Sequence, residues 1–289
     1  SPDPGYEQYQ YFISRFTDYG LTGLASYPLD RFNRVDMTLS VLVLEKDVID
    51  NALGVTLDIP TKRKFALTPS IGFIHDDVIW SYFYPKAGTR FNTTLAVSPQ
   101  FSSNTLGFFT PQFDFRHYFR IIGDMTFAAR LSGAASFGPT PQKFFLGGVD
   151  GWINRYFSAT TYPLTEPQDF AFYTAGTPLR GFPYNQEVGT KYGLLNLAIR
   201  FPFPISAGGL PLALISEAFM DAGTAWDNNL YLFEKNPSGS WTTKGLLMST
   251  GIGFRTYLFG IYLKLDIAWT TTIDSWAHPQ YIVSLGEDF

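Results

Sequence analysis

The chain has 289 residues and a mass of 32.5 kDa, enough for one large domain or two small ones, yet only 16% of its residues are charged and 18% are aromatic. This composition excludes a disordered, collagenous or coiled-coil chain, and 21 basic against 25 acidic side chains with a pI near 5.4 argue against a nucleic-acid partner, whose phosphates need a basic face. Without cysteine there is no disulfide, thiolate metal site or cysteine nucleophile, and no apolar run approaches the roughly 18–20 residues of a membrane-spanning helix.

The chain opens on Ser1 with no basic-then-apolar leader, so it reads as a mature or trimmed product. From there, apolar and polar residues alternate at period two almost throughout, the pattern of strands with two unlike faces. Two weaker strands are expected near 7–16 and 19–28. Residues 34–44 set Val35, Met37, Leu39, Val41 and Val43 against Arg34, Asp36, Thr38 and Ser40, and residues 64–75 set Phe65, Leu67, Pro69, Ile71 and Phe73 against Lys64, Thr68, Ser70 and Gly72. Strands at 89–98, 109–118 and 125–137 repeat the pattern, with Phe109, Phe113 and Phe115 opposite Gln112, Asp114 and Arg116 in the second of them. Beyond a long interruption, strands are expected at 192–201, 212–222, 246–258, 260–270 and 280–289, about twelve in all. The clearest is 260–270, where Ile261, Leu263, Leu265, Ile267 and Trp269 share one face and Tyr262, Lys264, Asp266, Ala268 and Thr270 the other.

Alternation alone fits a soluble sandwich as well as a membrane barrel. Three features favour the barrel. The strands run to about 10–13 residues, the length of a tilted membrane-spanning strand. Their polar faces carry Gly, Ser, Thr and opposite charges, as a crowded lumen requires. Aromatics also gather at strand ends, as in Tyr27, Trp80, Tyr82, Tyr84, Trp152, Trp226, Tyr257, Trp269 and Trp276, in the manner of interfacial girdles. Connections alternate between short (28–32, 119–124, 202–211, 257–260) and long (45–63, 138–190, 223–244, 271–279), with the medium stretch 76–88 as the exception, so the long loops share one side. No repeat or linker interrupts the pattern, and a single barrel domain over 1–289 is expected.

The longest connection holds Phe144-Phe145-Leu146-Gly147-Gly148 near its start and Leu179-Arg180-Gly181-Phe182 near its end. Here the chain resembles the BamA/TamA-type outer-membrane assembly and translocation barrel superfamily (the bacterial surface antigen barrel domain), which has a Gly-Gly before, and a Val/Leu-Arg-Gly-Tyr/Phe tip within, a long sixth loop folded into the lumen. Further motifs agree in order: Pro85-Lys86-Ala87-Gly88-Thr89-Arg90 resembles a turn of the family, and Asn196-Leu197-Ala198-Ile199-Arg200-Phe201-Pro202 resembles the strand after the loop. Phe219-Met220-Asp221-Ala222-Gly223-Thr224-Ala225-Trp226, Gly251-Ile252-Gly253-Phe254-Arg255 and Leu265-Asp266-Ile267-Ala268 resemble the strands that follow.

An all-β fold is therefore expected: a transmembrane antiparallel β-barrel, read as the C-terminal part of a sixteen-stranded one. The resemblance puts the loop between strands eleven and twelve, so about four strands and any periplasmic domain would lie upstream of Ser1, the alternative being closure with twelve. Phase analysis of 212–222 independently turns Glu217 and Asp221 inward, with Arg255 and Asp266 on neighbouring strands. A guanidinium at the tip of an inserted loop needs such carboxylates, because an unpaired charge is costly to desolvate. Arg180, followed by Gly181 and Phe182, is expected to pair with Asp221 or Glu217; Ala198 stands where the family commonly has Glu, which makes Glu217 the substitute. Gly147 and Gly148 form the expected loop base, and Tyr281, Val283, Leu285 and the terminal Phe289 the expected seam strand.

The resemblance implies insertion or export of proteins through a lateral seam of a Gram-negative outer membrane. Outer-membrane lipid, unfolded outer-membrane or secreted substrates and accessory assembly subunits are the expected partners. No enzyme activity, cofactor or metal is expected: His75, His117 and His278 have no ligand spacing, and Gly251-Ile252-Gly253 lacks the helix of a dinucleotide site. The alternatives are an outer-membrane pore or a membrane anchor for a periplasmic domain, without insertase activity, and a soluble carbohydrate-binding sandwich.

Overall fold

The structure, a computed structural model, describes residues 12–50, 55–56, 62–81, 84–158, 164–207, 210–258 and 260–286. Eleven long strands form its wall: β1 (Phe12–Pro28), β2 (Asn33–Asp50), β3 (Lys62–Asp76), β4 (Pro85–Ser98), β5 (Phe108–Ile122), β6 (Met125–Ala135), β7 (Lys191–Ala207), β8 (Leu210–Trp226), β9 (Leu247–Leu258), β10 (Ile261–Thr271) and β11 (Gln280–Leu285). Each pairs antiparallel with its sequence neighbour, so the sheet is one uninterrupted meander with β1 and β11 at its two ends. The register is continuous over long stretches, as from Phe12↔Asp50 to Pro28↔Arg34, because a slip of one residue would exchange the two faces of a strand.

The faces are inverted relative to a soluble protein. In β10, Leu265 is 41% exposed on the outer face while Lys264 and Asp266 are buried. Phe113, Leu131, Ile252 and Met220 are likewise exposed, and Thr110, Thr126, Ser132 and Glu217 are buried. Apolar surface turned outward along the wall identifies the outer face as the one that meets an apolar medium, and the polar face as the one that needs partners inside.

The sheet is curled. Tyr118 of β5, Ala128 of β6, Ala198 of β7, Phe219 of β8, Ala268 of β10 and Ile282 of β11 share one cluster with Val149 and Trp152 of the long loop. In a flat sheet β5 and β11 would stand about 29 Å apart, six strand spacings, beyond the reach of any one loop residue. A wall that bends around the loop brings them together.

Several expectations need correction. The two weak N-terminal strands are one, β1, and residues 1–11 and the terminal Phe289 lie outside the described residues. Among the described residues eleven wall strands are seen, six before the long loop and five after it, in line with the expected antiparallel barrel of about twelve. Residues 202–207 and 210–211 do not form a connection but extend the β7–β8 hairpin, with Ser206 opposite Pro211; prolines in this pair misled the reading. Pro85-Lys86-Ala87-Gly88 opens β4 in place of a turn, with Gly88 at φ +105° beside the Asp77 carbonyl. Of the proposed girdle, Tyr27, Trp80, Tyr257 and Trp276 are exposed near strand ends, whereas Tyr84 and Trp152 are buried; Trp152 belongs to the loop inside the wall.

Candidate functional site

The loop between β6 and β7 builds a small structure of its own. Phe144–Leu146 pairs parallel with Thr174–Gly176 and antiparallel with Glu187–Gly189, so both arms are tied to one central segment. A single helical turn, α1 (Pro167–Ala171), starts at Glu166 with a reciprocal capping box to Asp169 and Pro167 in its first turn. It is anchored to the wall where Lys62 of β3 pairs with Glu166 at 2.7 Å, and to the rest of the loop where Lys143 pairs with Asp169 at 3.0 Å.

At the loop base, Gly148 adopts φ +85°, and a Cβ there would lie 2.6 Å from the Tyr184 ring. Only glycine allows this approach. Gly147 at φ +121° is equally constrained, since its Cβ would meet the Pro183 carbonyl at 2.2 Å. The Gly148 N–H donates to the Phe182 carbonyl and the Leu179 N–H to the Gly148 carbonyl, joining the base directly to the tip. The residues 147, 148, 180, 181 and 182 are thus one packed unit.

The tip places Arg180 in the lumen at 2% exposure. Its Nε donates to Asp221 Oδ2 at 2.7 Å, Nη2 to Asp221 Oδ1 at 2.7 Å and Nη1 to Glu217 Oε1 at 2.5 Å. The backbone N–H of Arg180 adds a fourth contact to Asp221 at 3.1 Å. The fork of the guanidinium matches both oxygens of Asp221, and the same group lies flat on Phe219, 3.5 Å from the ring centre. Asn196 completes the seat, with Nδ2 donating to Asp221 Oδ1 and to the Pro178 carbonyl, both at 2.8 Å.

Glu217 is the hub. It accepts from Arg180, from Arg200 Nε at 2.9 Å and from Arg255 Nη2 at 3.2 Å, while Arg255 Nη1 reaches Asp266 Oδ1 at 2.6 Å. Three guanidiniums, Arg180, Arg200 and Arg255, thus face three carboxylates, Glu217, Asp221 and Asp266, all at or below 2% exposure. The cluster is neutral as a whole, the condition under which buried charge is tolerable. Glycines in β9 make room for it: a Cβ on Gly253 would lie 2.3 Å from both Arg255 Nη1 and Asp266 Oδ1, and one on Gly251 would lie 2.4 Å from the Phe219 ring. A polar cavity of about 280 Å³, bordered by Arg116, Arg130, Arg255, Lys264 and Asp266, adjoins the tip.

The structure brings Arg180, Glu217, Asp221, Arg255 and Asp266 together, while Tyr281, Val283 and Leu285 stand on β11 at one end of the sheet. Reading the sequence missed Arg200, Asn196 and Arg130; the last donates to the Thr177 carbonyl at 2.5 Å and, from Nη2, to Asp114 at 2.8 Å. Arg200 and Asn196 sit on the inward phase of β7, so the same period-two count contained the signal. Nearer the rim, burial raises the Glu187 carboxyl to about 7, opposed by a hydrogen bond accepted from the Ala225 N–H. Among the described residues no group of three or more His, Asp or Glu side chains is arranged to hold a metal ion.

No protein-family model and no curated protein matches this chain. Among solved structures it is similar to the crystal structure of BamA from Haemophilus ducreyi lacking POTRA domains 1–3, at a TM-score of 0.60 and 17% identity over 96% of this chain. The chain spans 55% of that protein's length. The likeness shows the fold alone: an antiparallel β-barrel wall similar to the one in that structure.

Proposed function

We propose that this chain forms the wall of an outer-membrane barrel that inserts or exports proteins through a lateral seam. The observation that carries the reading is the Arg180 fork on Asp221 and Glu217, which pins a loop inside a wall whose outer face is apolar. A loop fixed across the lumen narrows any channel there, and it also braces a wall whose seam opens. The outward apolar band supports a lipid surround, and the likeness to BamA supports placing that lipid in the outer membrane.

The chemistry required is backbone pairing, not bond making. A seam strand presents N–H and C=O groups that can template an incoming strand, and β11, at one end of the sheet, is the candidate. Unfolded outer-membrane or secreted proteins are the proposed substrates, with accessory subunits delivering them.

The experiment combines Arg180→Ala with a covalent stitch between the terminal strand and its neighbour. Loss of substrate assembly or export in cells, while heat-modifiable gel mobility still reports a folded barrel, supports the proposal. Unchanged assembly would sink it in favour of a pore or an anchor.

A further inference from the structure

One end of the sheet is already occupied. Residues 151–154 of the long loop run antiparallel along the outer edge of β11, with Trp152 opposite Ser284. The Leu285 N–H donates to the Gly151 carbonyl at 3.0 Å and the Ile153 N–H to the Val283 carbonyl at 2.8 Å. Beyond Ile153 the main chain departs, and the Asn154 carboxamide takes over as a peptide group would. Its Oδ1 accepts from the Val283 N–H at 3.1 Å and its Nδ2 donates to the Tyr281 carbonyl at 3.0 Å.

Four edge groups in succession, the Tyr281 carbonyl, both polar groups of Val283 and the Leu285 N–H, are therefore taken by the chain itself. The segment is shaped for the task. Gly151 has φ +69°, and a Cβ there would lie 2.0 Å from the Leu285 carbonyl oxygen. The Trp152 indole is buried at 4% against Ile282 and donates to Asn154 Oδ1 at 2.6 Å, which orients the carboxamide. Tyr156 donates to the Gln280 side chain and packs on Trp152 with ring centres 5.2 Å apart.

We infer that residues 151–154 are a resident strand that masks the edge of β11, and that this edge is a β-augmentation surface for an extended polypeptide, open only once the segment leaves. The inference rests on the seam reading above for its partner, and on the hydrogen bonds alone for the mask. Because the segment and the Arg180 tip belong to one loop joined through Gly148, loop position and edge availability are coupled.

The test uses the full chain in lipid nanodiscs, in a background that has no cysteine. The probe is a photoreactive synthetic peptide copying residues 151–156, the one sequence whose fit to this edge is known. Asn154→Ala removes two edge hydrogen bonds and is expected to raise peptide capture at β11, and exchange of the Val283 amide, about tenfold. Ile153→Cys with Val283→Cys, oxidised, is expected to abolish capture, and reduction to restore it. Capture equal in the oxidised and reduced forms, or wild-type Val283 and Leu285 amides that exchange as fast as a free strand edge, overturns the inference. Neither readout uses substrate assembly. If capture behaves as expected while the oxidised lock leaves assembly intact, the mask stands and the insertase reading fails.

Discussion

Arg180→Ala is the sharpest perturbation available. It removes three charge-assisted hydrogen bonds of 2.5–2.7 Å and the cation–ring contact with Phe219. Glu217 keeps Arg200 and Arg255, while among the described residues Asp221 keeps Asn196 and the backbone N–H of residue 180. The cluster passes from neutral to one net negative charge. Breaking a buried pair costs about 3–5 kcal/mol, and the lower end applies where one carboxylate retains partners. At about 1.4 kcal/mol per factor of ten, 3 kcal/mol weakens loop docking about 100-fold. The assay is amide exchange at Gly148 and Leu179, whose N–H groups hold the loop base to its tip, on folded protein in nanodiscs. Arg180→Lys keeps the charge but loses the fork, and is expected to fall between wild type and Ala. Asp221→Asn combined with Arg180→Ala returns the cluster to neutrality and is expected to recover part of the loss. Exchange accelerated less than about tenfold by Arg180→Ala would refute the claim that the ion cluster holds the loop.

Other outcomes follow from the same geometry. Leu265→Arg, mid-strand on the outer face at 41% exposure, is expected to cost about 2–4 kcal/mol of barrel stability in lipid; a change within about 0.5 kcal/mol, as at an ordinary water-facing site, argues against a lipid surround. Gly253→Ala drives a Cβ into the Arg255–Asp266 pair, whereas a Cβ on Gly193 meets nothing within 4 Å, so the temperature at which gel mobility shifts should fall for the first and hold for Gly193→Ala. Because burial raises the Glu187 carboxyl to about 7 from 4.5, its protonated form is favoured on docking: the loop arms should be most protected in acid and lose protection as pH rises from about 4.5 through 7. Glu187→Gln should flatten that profile, and an unaltered profile would mean that another group titrates.

Local pattern carried much of this protein. Strand existence, the two faces and the inward turn of Glu217, Asp221, Arg255 and Asp266 all follow from period two, because successive side chains of a strand must point to opposite sides. Boundaries did not. Proline made 202–211 look like a connection, although paired strands run on through Pro204 and Pro211, and the two short N-terminal runs gave no sign of forming a single 17-residue strand. Trp152 looked like an interfacial aromatic because a sequence shows amphipathic character without showing which medium surrounds it. The pairing of Arg180 with Asp221 and Glu217 was already expected from the sequence; what only the tertiary structure decided was that Arg200 and Arg255 converge on the same Glu217 from two further strands, and that residues 151–154 lie on β11, some 130 positions away. Periodicity is a property of one strand, whereas the curl of the wall that brings these groups within hydrogen-bond reach is a property of all the strands together.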